Sequence, residues 1–507
     1  MGRRGPALVL IAALVIVAGL VNRGHDERQV ERRDQEQIRL DQPAAAPMAV
    51  AAPADALSST WYCAAGTATR GGMADMVVAV ANPGSRDLVT EVTAVTDKGA
   101  SRTRRVSAPA HSRVRVLLRD IVTARYAAAL VEVRGGAVSV DREAAGGQGY
   151  DARPCASRAA DHWYFAAGST LRGADEYLAL FNPYPDDTTV DITFATEQGP
   201  RSPRRLQALP VPGRSLRVVH LNAERVNRHS LVAARVVARS GRLVVDRLQV
   251  FDGSGDPVRS SAAGPRTDPP QGLTVSSGVT RPAVSWAFPA GRKTPGAREQ
   301  IVVFNPSDRE ASVDIGITLD DPSRNGRLDP IPLSIPPGDV KVLDVTDQAT
   351  VPDNVDHSIS VRSTNRVAVV ADQLLTGGAP WNHLDASIGP GSPLEARTWL
   401  FASGGVTPDT SEQLVVQNLS GQPVTVEVTV LGGTRPLNDQ KLRNIAVPGD
   451  GRVTVSLDRL KRPSLPVELR ASGPVVAMRA VYRTGRRGLS IALGVPLPEG
   501  ARVPPPR

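Results

Sequence analysis

The chain has 507 residues, and a typical domain size of about 150 residues predicts three or four folded units. Glycine and proline are abundant, at 45 and 42 residues, while aromatic residues make up 4%, which favours turn-rich β structure over helical bundles. The net charge of +9 favours an anionic partner, but arginines interspersed with acidic residues along strand-like segments argue against nucleic acid.

The N-terminus carries an apolar run, Ala7 to Val21, that follows Arg3 and Arg4. As a helix this run rises roughly 22 Å, short of the roughly 30 Å hydrocarbon core unless neighbouring residues contribute. Its best signal-peptidase site, Val17-Ala18-Gly19, lies inside the run, so an uncleaved anchor is favoured over a cleaved signal. We therefore expect residues 1–22 to form a transmembrane helix. The arginines then place the bulk of this single-pass cell-membrane protein outside the cytoplasm, and cleavage would make it secreted.

Residues 23–60 are predicted to be a linker, first charged and then rich in alanine and proline. The two cysteines, Cys63 and Cys155, suit an oxidising compartment. An even number of cysteines without C-x-x-C or Cys/His spacing predicts one disulfide and no metal or redox site. Closing a loop of about ninety residues would contribute roughly 4 to 5 kcal/mol in the chain-entropy model. The alternative is two unrelated buried thiols.

One segment occurs four times. Its copies are WYCAAGTATRGGMADMVVAVANP from Trp61, WYFAAGSTLRGADEYLALFNP from Trp163, WAFPAGRKTPGAREQIVVFNP from Trp286 and WLFASGGVTPDTSEQLVVQNL from Trp399. Glycine follows tryptophan after five residues in every copy. Asparagine follows after nineteen residues in the last three copies and after twenty-one in the first. Matched spacing of this kind predicts an internal repeat.

Each copy continues with a β-branched run, a turn that contains proline, and further runs that alternate between apolar and polar residues. A period of two with turn signals every eight to twelve residues is typical of a small antiparallel sandwich. The predicted class is therefore all-β, with four tandem antiparallel, immunoglobulin-like β-sandwich repeats behind an N-terminal transmembrane helix. The repeats are placed at 61–150, 162–252, 285–377 and 398–493. A flexible linker at 253–284 suggests two pairs of repeats, and 494–507 is predicted to be a disordered, proline-rich tail.

The W-x-F-x-x-G…E…N-P pattern, repeated behind one membrane segment with the first copy altered to WYC, resembles an actinobacterial family of uncharacterised membrane-anchored proteins. Single units are also similar to the β-sandwich of the sensory-rhodopsin-transducer type. The resemblance extends from Trp61 to about Leu493. It implies a fold but no activity, because the family has none established.

The repeated residues allow two interpretations. The tryptophans either fill the sandwich core, which is favoured, or present platforms that stack on a sugar ring. The carboxylate that begins the next strand (Asp75, Glu176, Glu299, Glu412) could accept backbone N–H groups or pair with an arginine of the last strand (Arg142, Arg247, Arg479), where the third copy has Gln373. The asparagine before proline predicts an Asx turn. The candidate binding residues are Trp163, Glu176, Asn182, Trp286, Glu299, Asn305, Trp399, Glu412 and Asn418.

Scattered histidines and the lack of recognised catalytic motifs predict no catalytic residues, no metal and no cofactor. We therefore expect a non-catalytic binding or scaffolding protein of the cell envelope, held by the membrane through its N-terminal helix. The expected partners are an anionic cell-wall polymer or glycan and envelope proteins. The alternatives are a structural subunit of an envelope-assembly complex without glycan affinity, and an accessory enzyme that acts on envelope polysaccharide.

Overall fold

The computed structural model describes residues 46–259, 266–294, 296–320, 326–377, 385–432, 439–483 and 488–504. In this part of the chain, β-strands form several antiparallel sheets, so the predicted all-β class is confirmed. The predicted transmembrane segment lies outside the described residues. Among the described residues, no helix is long and apolar enough to cross a membrane.

The strands form four groups along the chain, which we call sheet pairs 1 to 4. Sheet pair 1 contains β1 Ser59–Cys63, β2 Asp75–Asn82, β3 Leu88–Thr96, β4 Ser101–Ala108, β5 Ser112–Leu117, β6 Ala127–Val133, β7 Ser139–Gly146 and β8 Gly149–Pro154. Sheet pair 2 contains β9 His162–Phe165, β10 Ala174–Asn182, β11 Thr188–Thr196, β12 Gly199–Arg201, β13 Leu209–Val211, β14 Ser215–His220, β15 Val232–Ser240, β16 Val244–Asp252, the hairpin β17 Val258–Arg259 and β18 Arg266–Thr267, and β19 Gln271–Ser277.

Sheet pair 3 contains β20 Ser285–Arg292, β21 Ala297–Phe304, β22 Ala311–Leu319, β23 Ile331–Ile335, β24 Val340–Asp344, β25 Asp356–Ser363, β26 Val370–Gly377 and β27 Ala386–Pro390. Sheet pair 4 contains β28 Ala396–Phe401, β29 Thr410–Gln417, β30 Val424–Val430, β31 Ile445–Val447, β32 Arg452–Ser456, β33 Val467–Arg483, β34 Leu489–Leu493 and β35 Val495–Pro496. Short 3-10 helices cover Leu118–Asp120, Arg204–Leu206, Leu221–Ala223, Gln440–Leu442 and Asp458–Leu460.

Every sheet pair has the same strand order. In sheet pair 1 one sheet runs β1-β6-β3-β4 and the other β5-β2-β7-β8. The corresponding sheets are β9-β15-β11-β12 and β14-β10-β16-β19 in pair 2, and β20-β25-β22-β23 and β24-β21-β26-β27 in pair 3. In pair 4 the long strand β33 takes the place of two strands and belongs to both sheets. Equivalent residues of the four pairs can therefore be identified from the strand registers.

The alternating sequence explains the buried face of each sheet. In β22 the residues alternate between buried and half-buried along the whole strand, as expected for a sheet with one face on the core. The four motif tryptophans, Trp61, Trp163, Trp286 and Trp399, lie in these cores and are no more than 1% exposed. Three of their indole N–H groups donate to backbone carbonyls, those of Leu243, Val369 and Val475. Truncating one such side chain to alanine would cost about 3 to 5 kcal/mol.

One edge strand of each pair lies at the centre of the ring, where β8 packs on β19, β19 on β27, β27 on β34 and β34 on β8. A ring of hydrogen bonds links them through one equivalent side chain per strand. Asp151 Oδ2 accepts from the Val275 N–H at 2.8 Å, and Ser490 Oγ accepts from the Ala152 N–H at 3.0 Å. Thr274 Oγ1 and Ser387 Oγ accept in the same way from the Ile388 and Ile491 N–H groups, at 3.4 and 3.3 Å. The four sheet pairs therefore close on one another in a ring.

One of the four central strands, β19, was not predicted from the sequence. β19 lies within 253–284, which was predicted to be a flexible linker, and it pairs with β16 along its whole length. Its segment QGLTVSS is short and follows a loop rich in glycine, proline and serine, and five of its seven residues are buried, so it shows no alternation. The suggested association as two separate pairs of repeats is also wrong, because β19 and β27 join pairs 2 and 3 directly.

The segments on either side of the sheet pairs are also part of the packed structure. Residues 46–52, predicted to be part of a linker, cross one end of the ring. The Pro47 carbonyl accepts from the Thr280 N–H, the Val50 N–H donates to Ser157 Oγ, and the Ala51 N–H donates to the Pro496 carbonyl. The predicted disordered tail is ordered as far as residue 504, and Arg502 pairs with Glu395 at 2.7 Å. Small apolar residues allow this close backbone packing, so alanine and proline content misled the prediction.

Candidate functional site

The predicted disulfide is confirmed, and it replaces a packing contact that the other sheet pairs share. Cys63 and Cys155 are bonded and fully buried. In pairs 2 to 4 the equivalent residues are a phenylalanine and a glycine: Phe165 with Gly278, Phe288 with Gly391, and Phe401 with Gly494. A Cβ added to any of these glycines would lie 2.6 to 2.8 Å from the phenylalanine Cζ, so the ring needs the glycine.

The motif asparagines hold the turn after the second strand. Asn182 Nδ2 donates to the carbonyls of Asp186 and Val211, at 2.8 and 3.2 Å, and its Oδ1 accepts from the Tyr184 N–H at 3.1 Å. Asn82, Asn305 and Asn418 make the same three kinds of bond. All four are buried. The amide groups are therefore fully used by the backbone around them.

The motif carboxylates lie in the interior beside the motif glycines. Glu176, Glu299 and Glu412 are no more than 1% exposed. The equivalent residue in sheet pair 1 is Met76, whereas Asp75, chosen from the sequence, pairs with Arg119. The first copy has two extra residues before its second strand, which shifts the register. These buried tryptophans, asparagines and carboxylates present no side-chain surface to a ligand in this structure.

Each buried carboxylate has different partners. Glu299 accepts from Gln373 Nε2 at 2.6 Å and lies 2.9 Å from His357 Nε2. Glu412 accepts from the Gly405 N–H at 2.6 Å and lies 2.9 Å from Arg479 Nε; burial raises its pKa and Arg479 opposes that shift. Neither oxygen of Glu176 has a hydrogen-bond partner among the described residues. Burial raises the pKa of Glu176 to about 8, although Arg247 opposes the rise.

The aspartates that join the sheet pairs were not identified from the sequence, and Arg142 and Arg247, considered there as partners of the motif carboxylates, pair with these aspartates instead. Asp246 of pair 2 accepts from the Ala64 and Ala65 N–H groups of pair 1, at 2.5 and 3.0 Å, and pairs with Arg142 of pair 1. Asp372 of pair 3 accepts from the Ala166 and Ala167 N–H groups of pair 2 and pairs with Arg247 of pair 2. Asp141 of pair 1 accepts from the Ala402 and Ser403 N–H groups of pair 4. The sequence feature that could have identified them is an aspartate within an otherwise apolar strand, as in VVDR of β16 and VADQ of β26.

The fourth junction, between pairs 3 and 4, uses no aspartate. Its equivalent residue is Met478, and the backbone position that would donate is Pro289, which has no N–H. Both residues are buried, and Gln373 replaces the arginine of the other junctions. One of the two donors, the acceptor and the counter-ion are thus replaced together, while Ala290 keeps its N–H, and this junction is held by apolar packing between β20 and β33.

A groove runs along each junction, and two of the four grooves are partly filled by the chain itself. Between pairs 1 and 2, Tyr177 stacks on His220 with ring centroids 4.4 Å apart and lies 6.0 Å from Tyr126. Between pairs 4 and 1, Arg113 Nη1 donates to the Ala402 carbonyl at 3.1 Å and pairs with Glu143 at 3.6 Å. These side chains occupy part of the two grooves.

The other two grooves contain cavities. The cavity between pairs 2 and 3 measures about 220 Å³ and is lined mainly by apolar side chains: Leu171, Leu231, Phe251, Val342 and Leu374. The cavity between pairs 3 and 4 measures about 130 Å³ and has polar walls that include Arg292, Asp356, Gln413, Arg452 and Tyr482. Among the described residues, no group of three His, Cys, Asp or Glu side chains is placed to hold a metal ion.

Comparison with known proteins gives a family match over part of the chain and no activity. A model of a family of unknown function, DUF5719, matches residues 135–246. No curated protein matches the chain. The chain is similar to the Thermotoga maritima 1070 structure, with 23% identity over 22% of this chain and 94% of that one and a TM-score of 0.19. It is also similar to the Anabaena sensory rhodopsin transducer, with 21% identity over 18% of this chain and 96% of that one and a TM-score of 0.17.

Proposed function

We propose that the four sheet pairs are four copies of one β-sandwich repeat, and that the chain is a non-catalytic binding and scaffolding protein of the cell envelope. In this proposal residues 1–22 anchor it in the cell membrane and the ring of repeats lies outside the cytoplasm. The disulfide supports such a location, because disulfides persist in oxidising compartments. The partner is an anionic cell-wall polymer, a glycan or another envelope protein.

The observation that carries the proposal is the difference between the four junction grooves. The chain partly fills two of them with its own tyrosine, histidine, arginine and glutamate side chains, and leaves cavities of about 130 and 220 Å³ in the other two. Clefts between domains are common binding sites. The buried carboxylates and tryptophans of the motif serve the cores and the junctions, so binding rather than catalysis is the function that this arrangement supports best.

Retention on purified envelope polymers tests the binding function. Residues 46–507, purified with the disulfide intact, should be retained at moderate salt by at least one immobilised wall polymer and not by the bare matrix. Failure to bind any polymer would contradict glycan or wall binding. Stable co-purification of the full chain with a membrane protein in that case would instead indicate a structural subunit, and polymer turnover would indicate an enzyme.

The proposed location has a separate test. Alkaline phosphatase fused after Arg507 should be active in intact cells, and the fusion should remain with the membrane fraction after washing at high salt. An inactive fusion would contradict the extracytoplasmic location. Activity only in the medium would show that the N-terminal segment is cleaved.

A further inference from the structure

We infer that the cavity between sheet pairs 3 and 4 binds one neutral sugar ring of a glycan. This inference rests on the proposed binding function and names the ligand class for one groove. The cavity measures about 130 Å³. A cavity of about 150 Å³ in a protein interior accepts benzene, so the enclosed volume here is of the order of one six-membered ring, whose hydroxyl groups would extend into the open side of the groove.

Arg452 has unused hydrogen-bonding capacity in this cavity. Its side chain is 3% exposed, and Nη1 lies 3.5 Å from the carboxylate oxygens of both Asp320 and Asp356, too far for a strong hydrogen bond. Nη2 donates to Thr454 Oγ1 at 2.8 Å, and Nε has no partner among the described residues. Buried donors of this kind are usually satisfied by water or by a ligand.

The equivalent arginine in sheet pair 1, Arg113, reaches across its junction to a backbone carbonyl. Arg113 donates to the Ala402 carbonyl and pairs with Glu143. At the junction of pairs 3 and 4, the residue equivalent to Glu143 is Ala480, which offers no side-chain acceptor, and the residue equivalent to Ala402 is Pro289. Pro289 keeps its carbonyl, but Arg452 makes no hydrogen bond to it among the described residues, and its one short hydrogen bond is to Thr454.

The charges around the cavity favour a neutral ligand. Arg292 Nη1 donates to Asp356 Oδ1 at 2.9 Å, and Asp320 and Asp356 together match the charges of Arg292 and Arg452. A phosphate or carboxylate would meet these aspartates as well as the arginines. A hydroxyl group is both donor and acceptor, so it can bond to an arginine, an aspartate or the Gln413 amide.

The apolar part of the wall suits the C–H face of a sugar ring. Leu375 and Leu489 line the cavity, and Tyr482 adds an aromatic side chain with a polar end. Burial raises the pKa of Tyr482 to about 12, so its phenol stays neutral at physiological pH. In the cavity between pairs 2 and 3, the residues equivalent to Arg452 and Tyr482 are Val340 and Thr376. The arginine and tyrosine at these two positions are therefore particular to the groove between pairs 3 and 4.

Titration of the detergent-solubilised full chain with neutral monosaccharides tests the inference, with glucuronate and inorganic phosphate as charged probes. At least one neutral sugar should bind, with a dissociation constant of the order of 1 mM. The variants Arg452→Val and Gln413→Ala should each weaken that binding at least tenfold. Arg298→Ala, which changes the cavity between pairs 2 and 3, is the matched control and should bind like the parent chain.

Several results would overturn the inference: no binding of any neutral sugar, tighter binding of glucuronate or phosphate, or unchanged binding in both variants. Gln413→Ala keeps the test valid if Arg452→Val fails to fold, because Gln413 is half-buried and uncharged, so its truncation leaves no buried charge without a partner. Polymer retention distinguishes this inference from the proposed function. If Arg452→Val is still retained on wall polymers, the binding function stands and this cavity is not the site.

Discussion

Glu176, Glu299 and Glu412 occupy one position in three sheet pairs, yet only Glu176 lacks a hydrogen-bond partner among the described residues. An ionised carboxylate without partners is costly in a protein interior, so the group keeps its proton instead. The pKa of Glu176 is raised from 4.5 to about 8 because burial destabilises the ionised form. The position tolerates a neutral side chain, because sheet pair 1 has Met76 there.

This shift predicts how stability changes with pH. The folded protein holds the Glu176 proton up to about pH 8, whereas the unfolded chain releases it above about pH 4.5. Unfolding therefore releases a proton within this window, and the contribution of Glu176 is lost as pH rises, by about 1.4 kcal/mol per pH unit. Glu176→Gln and Glu176→Met should each remove this slope in urea unfolding measured across the window. An unchanged slope in both variants would show that Glu176 is ionised in the folded protein.

The disulfide offers a second test at single positions. Replacing Cys63 and Cys155 by serine removes the cross-link and should cost about 2 to 5 kcal/mol. Replacing them by phenylalanine and glycine copies the Phe165–Gly278 contact of sheet pair 2 and restores a buried ring. We therefore expect Cys63→Phe/Cys155→Gly to be clearly more stable than Cys63→Ser/Cys155→Ser in urea unfolding. Equal stability of the two variants would mean that sheet pair 1 does not share this packing.

The junctions between sheet pairs depend on where β1, β9 and β28 end. Two consecutive backbone N–H groups just after each of these strands donate to an aspartate of the neighbouring pair. At two of the three junctions an arginine, Arg142 or Arg247, supplies the counter-charge to that aspartate. Such a buried ion pair is sensitive to the loss of one partner and tolerant of replacement as a unit. The fourth junction, with Met478, Pro289 and Gln373, is an example of replacement as a unit.

A change at one junction tests this interpretation. Asp246→Met leaves Arg142 buried without a counter-ion and two N–H groups without an acceptor, which should cost about 3 to 5 kcal/mol. The triple variant Asp246→Met/Arg142→Gln/Ala64→Pro copies the fourth junction and should recover much of that loss. The comparison is made by urea unfolding of the two variants and the parent chain. A triple variant less stable than Asp246→Met would show that the junctions are not interchangeable.

The sequence was informative about parts of the molecule that depend on local contacts. Asn182 binds the turn that follows it, and Trp163 packs within its own sheet pair. The spacing of these residues was therefore enough to predict a repeated β-strand unit. The residues that close the ring depend on contacts more than one hundred positions apart, such as Asp151 with Val275. The cavity depends on which side chains two sheet pairs bring together, and Arg452 and Asp356 carry no local signal of that meeting.

Closure of the ring predicts how halves of the chain behave. A fragment of residues 285–504 leaves Asp372 of pair 3 and the Ala402 and Ser403 N–H groups of pair 4 without their native partners. In a two-fold dimer these groups would satisfy one another, and Arg479 would take the place that Arg247 has beside Asp372 in the native ring. Closed two-fold assemblies of this kind are common among oligomers.

The other half should not close in this way, because its strand β8 carries Arg153. In the native ring the Arg153 guanidinium crosses the centre to Ser387, and Gly389 leaves it room: a Cβ there would lie 2.0 Å from Nη1. A dimer of residues 57–284 would bring two Arg153 side chains into that space, with like charges and no room for either. We therefore expect sedimentation equilibrium to find a dimer for 285–504, a monomer for 57–284, and a monomer for 285–504 with Asp372→Ala. A dimer that survives Asp372→Ala would mean that the junction aspartates do not hold the ring together.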